Sequence, residues 1–318
     1  MLVDLSISKE NTLYLKGIAI LFVILGHLGW LDGTGAWGVH IFCFASGYGL
    51  LCSSQINGLD RYWKKKLENV YLPYLFCTVI FLFIRWGMKR SLGAKVLFVS
   101  LMGLDFGLNS DPTMWYISYI FACYFVFWLY VKLSAINKFV AVSVAAVLWG
   151  AMHVAGLLGI IWHHGTIAWA YVFTFPLGIL VGWIRKRQIR KSVRNVLCSI
   201  TGLLALFVVV LRYGKAHGGV EQFLYTFSAF TVVLMIMWIT DTLPLSKYAR
   251  FLAVLGKYSF FMYLNEAFLI QIKFTYFKQV NDILMDILLL ITSFLLAVGL
   301  SKTWDILKSR LGLNLAVC

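Results

Sequence analysis

Two side chains in the first apolar run, LYLKGIAILFVILGHLGWL, have types and spacing suited to chemistry: Lys16 and His27. Eleven residues of α-helix turn through three revolutions plus about 20°, so both project from one face, about 16 Å apart along the axis. An imidazole is the side chain best matched to general acid or base work near neutral pH. A cation further back on the same face suits a long anionic donor that enters phosphate-first and extends its reactive end toward the imidazole. Each residue also has a plain structural use, since Lys16 can snorkel to an interface and His27 can hydrogen-bond between helices. Ser46, in AWGVHIFCFASGYGLL, is either a donor to a developing oxyanion or a link to a neighbouring helix. Glu266, deep in a late apolar run, either orients His27 or pairs with a cation to close a bundle. Arg61, Lys64, Lys65 and Lys66, in RYWKKKLENVYLPYLF, serve equally as a topology signal, a contact for anionic headgroups or a site for a nucleotide phosphate. Trp115, Tyr116, Trp162, His163 and His164 can stack on or hydrogen-bond a sugar, or the aromatics among them can form an interfacial belt. His153 reads as packing. No His or Cys spacing fits a metal site, so no metal is expected.

The elements that must hold these residues are membrane-spanning helices. Of the 318 residues, 61% are hydrophobic and only 13% charged, and mean hydropathy is +0.84. A soluble core is satisfied by roughly 45–50% apolar residues, so a soluble enzyme is excluded. Disorder and a disulfide scaffold fall with it, because the chain is rich in Leu, Phe and Trp and its 6 Cys lie singly. Runs near the ~20 residues that cross a ~30 Å hydrocarbon layer fall at 13–31, 36–53, 69–88, 113–132, 138–158, 166–184, 195–213, 222–240, 252–272 and 283–303. The fold class is therefore an all-α polytopic bundle of about ten helices, a single membrane domain over 1–318 with no soluble domain. The stretch 92–104 is too short to span comfortably and reads as interfacial or re-entrant. A cleavable signal peptide is not expected, because MLVDLSISKEN carries acids.

The net charge of +15 would point to nucleic acid in a soluble protein, but here it follows the positive-inside rule. With the N-terminus in the cytoplasm, nineteen of the 28 Lys and Arg fall inside and eight outside, which favours both termini in the cytoplasm. Lys16, within the first run, then lies near the cytoplasmic end and His27 toward the outer end. Nucleic acid is not an expected partner, whereas membrane lipids are.

Taken in order, these segments resemble the acyltransferase 3 family of integral membrane acyltransferases, which modify polysaccharides and other envelope molecules. KGIAILFVILGH matches the family's basic residue eleven positions before a catalytic His, and WGVHIFCFASGYGL its Gly-aromatic-Ser-Gly-aromatic second helix. KKKLENVYLPY matches a basic stretch ending in Pro-Tyr, and MWYISYIFACY a Trp-led fourth helix. FPLGILVGWIRKR and LGKYSFFMYLNEAFLI resemble its later segments. Three positions depart from the pattern. Lys16 stands where Arg is usual, which keeps the charge and loses the bidentate fork. The usual Arg pair falls on Lys66 and Asn69, and Asn265-Glu266 occupies the place of a common His.

The resemblance implies a bacterial cytoplasmic-membrane enzyme that moves an acetyl group from cytoplasmic acetyl-CoA, its donor substrate, to a hydroxyl of an envelope glycan or its lipid-linked precursor. Lys16, Arg61, Lys65 and Lys66 would receive donor phosphates. His27 would act as general base or carry the acyl group, with Ser46 and Glu266 assisting. Trp115, Tyr116, His163 and His164 would meet the glycan. The rival reading is a transporter or flippase of a glycan or small anionic metabolite, since many spans with polar groups at depth also describe a permeation path. No internal repeat supports that reading, and the polar groups concentrate in the first three spans. A polysaccharide polymerase would be expected to carry a large outer loop, which the sequence does not show, and an assembly subunit would not need Lys16 and His27 aligned. An apolar stripe of Phe or Gly leaves room for a homo-oligomer.

Overall fold

The computed structural model describes residues 2–3, 6–30, 34–87, 93–104, 113–159, 171–193, 195–196, 199–200, 203, 246–277 and 283–313. Its principal helices are α1 (Lys9–His27), α2 (Thr34–Asn57), α3 (Tyr62–Lys66), α4 (Leu72–Gly87), α5 (Ala94–Leu101), α6 (Trp115–Ser134), α7 (Lys138–Leu157), α8 (Thr174–Ile184), α9 (Ser246–Tyr276) and α10 (Ile283–Arg310). A π turn, Leu67–Tyr71, joins α3 to α4. The all-α expectation needs one small addition, a two-residue antiparallel pairing of β1 (Leu2–Val3) with β2 (Ile189–Arg190). Among the described residues five helices are long and apolar enough to cross a membrane: Thr34–Asn57, Tyr62–Gly87, Trp115–Ser134, Lys138–Gly156 and Ile283–Arg310. Residues 166–170 of the expected span 166–184, most of 195–213 and all of 222–240 lie outside the described residues.

The chain divides into two compact units, Met1–Gly58 with Trp149–Lys257, and Leu59–Leu148 with Tyr258–Cys318. In the first, Ser8 caps α1 by accepting a hydrogen bond from the Asn11 N–H at 3.0 Å. Leu15, Ala19, Ile41, Phe44, Tyr48 and Val181 form a buried core between α1, α2 and α8. Glycines let these backbones touch: a Cβ on Gly38 would overlap the Ala19 carbonyl oxygen, and one on Gly47 would overlap that of Phe175. Close approach through small residues is the usual way transmembrane helices associate, because lipid supplies no hydrophobic drive between them.

In the second unit the third span differs from expectation. Tyr62–Gly87 is one continuous helical stretch, so it starts seven residues before 69 and Lys64, Lys65 and Lys66 ride on it instead of preceding it. The Leu72 N–H donates to the Leu67 carbonyl, the wider π register. That turn lies directly before Pro73, which has no N–H to continue the α ladder. Helix α5, with 8 residues, rises about 12 Å and cannot span. Its end is pinned by hydrogen bonds from Tyr71 Oη to the Leu101 carbonyl at 3.0 Å and from Tyr74 Oη to that of Ser100. Asn265 of α9 and Ser293 of α10 bond in both directions, at 3.0 and 2.8 Å. Lys273 and Asp286 form a buried ion pair between the same helices.

Candidate functional site

Helix α1 ends on a motif that fixes where His27 sits. The Trp30 N–H donates to the Leu25 carbonyl at 3.1 Å and the Gly29 N–H to that of Gly26 at 3.2 Å. Gly29 holds φ 78°, in the left-handed region that glycine enters at little cost. This pair of bonds is the Schellman arrangement, and it makes His27 the last helical residue. His27 is exposed in its unit. Beside it, a Cβ on Gly26 would overlap the Gly35 backbone nitrogen, so the start of α2 lies against the end of α1. Thr34 Oγ1 donates to the Phe22 carbonyl at 3.3 Å, which fastens the same corner. Gly26 and Gly35 thus let the start of α2 approach the end of α1 that carries His27.

Lys16 is half-buried on α1, and the unbroken helix from Lys9 to His27 gives the pair the common face its spacing predicts. Among the described residues Lys16 has no hydrogen-bond or ion-pair partner. Ser46 does not accompany His27. Helices α1 and α2 run antiparallel, with Gly26 against Gly35 and Ala19 against Gly38, and the Ile7 N–H donates to Tyr48 Oη at 2.8 Å. Eleven residues separate Ser46 from Gly35, about 16 Å of helical rise. Ser46 therefore stands toward the Lys16 end, half-buried. A hydroxyl there is badly placed to stabilise an oxyanion formed beside His27, because spacing along α2 alone could not say how α2 returns along α1.

The remaining expected residues are distributed as follows. Arg61 is exposed and adopts φ 48° just before α3. Lys65 is half-buried. The Lys66 ammonium lies over the rings of Tyr124 at 4.5 Å and Tyr62 at 5.5 Å, contacts of the cation–π kind. Tyr62 Oη in turn donates to the Tyr124 carbonyl at 2.8 Å. Trp115 and Tyr116 begin α6 within an aromatic cluster, where Tyr116 meets Tyr263 edge-on at 5.7 Å. Glu266 is fully buried on α9; it belongs to the second unit and His27 to the first. His153 Nδ1 lies 2.8 Å from the Trp149 carbonyl on its own helix. His163 and His164 lie outside the described residues, as does Trp162.

Three polar groups to which sequence reasoning gave no specific role stand out. Glu68 is 2% exposed within the π turn, with Lys64 one helical turn away at 3.7 Å; the signal was a lone acid in a basic run. His40 is completely buried, with Nδ1 2.7 Å from Thr174 Oγ1 and its ring 4.6 Å from that of Tyr171. No local pattern pairs residues 134 apart. Arg85, near the end of α4, donates to Gln271 Oε1. Among the described residues, no three His, Cys, Asp or Glu side chains gather as a metal site.

A cation and an imidazole carried on one apolar helix are compatible with several chemistries. The family comparison decides the class: the acyltransferase 3 model, described as an acyltransferase domain, matches residues 13–302. The chain belongs to that family. The match takes in both α1 and α10, so the acyltransferase domain runs through both units. This membrane acyltransferase has no significant match among curated proteins or solved structures.

Proposed function

We propose that this acyltransferase moves an acetyl group from acetyl-CoA to a hydroxyl of an envelope glycan or its lipid-linked precursor, with His27 at the reaction centre. The observation that carries the reading is a histidine at the end of the same helix that bears a half-buried Lys16 with no partner among the described residues, in a chain of this family. In the direct route the His27 ring takes the proton of the acceptor hydroxyl as its oxygen forms a bond to the thioester carbonyl carbon. The carbon–sulfur bond breaks, and the proton passes to the departing CoA thiolate. In the covalent route an imidazole nitrogen bonds the acetyl carbon as the carbon–sulfur bond breaks and the imidazole proton passes to the CoA thiolate; the acceptor oxygen then bonds that carbon as the carbon–nitrogen bond breaks, and its proton returns to the imidazole. Lys16 offsets donor phosphate charge about 16 Å away on the same face, with both termini on the cytoplasmic side. Arg61 and Lys65 are further candidates for donor phosphate, Trp115, Tyr116, His163 and His164 for the glycan, and Glu266 and Ser46 for supporting polar roles.

Donor binding tests this directly. Protein in lipid nanodiscs is expected to bind acetyl-CoA and to move label from its acetyl group to glycan, with Lys16→Ala weakening binding by about tenfold and Lys16→Arg restoring it. Failure of well-folded wild type to bind any acyl-CoA would overturn the proposal.

A further inference from the structure

The three consecutive lysines that open the third span are used differently. Lys64 faces the buried Glu68 carboxylate at 3.7 Å, and the Lys66 ammonium lies over the rings of Tyr124 and Tyr62. Lys65 is half-buried, and among the described residues its ammonium has no hydrogen-bond or ion-pair partner. Asn69 stands four residues on, about one turn along the same face. The π turn Leu67–Tyr71 takes slightly more than four residues, which brings Asn69 further into line with Lys65. A second cation reaches this point from another helix of the same unit: Lys308, in the last turn of α10, donates to Asn69 Oδ1 at 2.9 Å. Packing backs the contact, because one turn earlier on α10 the buried Trp304 meets Phe76 of α4 at 5.8 Å. Asp305, three residues before Lys308, is exposed and forms no ion pair with it among the described residues.

We propose that Lys308, Asn69 and Lys65 form a phosphate site, and that its ligand is a phosphate group of the CoA donor. Two lysines from separate helices share one turn of the third span, and among the described residues no carboxylate pairs with either. With its oxygen engaged by Lys308, the Asn69 amide keeps its N–H donors for a ligand that only accepts. Phosphate is such a ligand: its oxygens take charge-assisted hydrogen bonds from the ammoniums and an ordinary one from the amide. Compact ammoniums on long stems serve phosphate as point charges, without the planar fork of arginine. The inference rests on the acetyl-CoA reading and deepens it, since it adds to the donor-binding residues a lysine 239 positions from its amide partner. A lipid headgroup carries the same phosphate chemistry, and the test separates the two sources.

The test uses the full chain in nanodiscs of zwitterionic lipid and compares acetyl-CoA with S-acetylpantetheine, which keeps the thioester arm and lacks every phosphate. Lys308→Ala is expected to weaken acetyl-CoA binding about tenfold and to leave S-acetylpantetheine unchanged. Adding Asn69→Arg to Lys308→Ala should restore most of the affinity, because it returns a cation to the same turn of the third span. Asn69→Asp alone should weaken acetyl-CoA, since a carboxylate there pairs with Lys308 and repels phosphate. Undiminished acetyl-CoA affinity in folded Lys308→Ala, or an equal loss toward both thioesters, would overturn the inference and leave acetyl-CoA as the donor. Retention of phosphatidylglycerol that falls in Lys308→Ala at constant acetyl-CoA affinity would assign the site to a lipid headgroup and overturn it as well. Wild type that binds no acyl-CoA would remove the donor reading itself, a result distinct from both.

Discussion

The two units of this acyltransferase are held together by different means. The first relies on backbone proximity: Gly17 and Gly256 let α1 and α9 touch, Gly38 does so for α1 and α2, and Gly47 and Gly178 for α2 and α8. The second is tied by polar and aromatic side chains, including Lys273–Asp286, Asn265–Ser293 and Lys66 over Tyr62 and Tyr124. The difference teaches that small residues and buried polar pairs are separate solutions to one problem, the lack of a hydrophobic force between helices in lipid. The first brings the start of α2 against the end of α1 where His27 sits.

If the contrast is real, the units respond to different injuries. The largest effect should come from Asp286→Ala, which strands a buried ammonium: a loss of about 3–5 kcal/mol, read as a fall in thermal midpoint in detergent. Replacing the pair together, Lys273→Met with Asp286→Leu, should recover most of it. Next, Gly47→Ala and Gly178→Ala should each cost about 1–3 kcal/mol, because the added carbon meets backbone that cannot swing aside. An unchanged midpoint in both would show that the first unit is not held by glycine contacts. Asn265→Ala should cost about 0.6–1.7 kcal/mol, the range measured for interhelical hydrogen bonds in membranes. The smallest change belongs to Gly150→Ala and Gly299→Ala, which face open space in either unit. Each should leave the midpoint level or raise it by up to about 1 kcal/mol.

Much of this was legible in sequence, for physical reasons that also explain what was not. The segments 113–132, 138–158 and 283–303 stand out because long apolar runs report the thickness of the bilayer directly, and α6, α7 and α10 lie where they predict. The start of the third span was misplaced, since basic residues read as a boundary although Lys is a good helix former and carries its charge outward on a long stem. For the site, Lys16 and His27 share a helix, so their relation follows from helical geometry alone. Ser46 reaches its place through the antiparallel return of α2, which its own spacing does not encode. His40 with Thr174 and Arg85 with Gln271 are pairings across the fold, and nothing local in the chain announces them.

The most direct test of the central claim is the rate of acetyl transfer from labelled acetyl-CoA in nanodiscs containing a glycan acceptor, wild type against His27→Ala of equal thermal midpoint. With His27 as base or acyl carrier, the variant should lose at least about a hundredfold in turnover while still binding donor. Turnover in His27→Ala within a few-fold of wild type would contradict the assignment and move the reaction centre elsewhere in the domain.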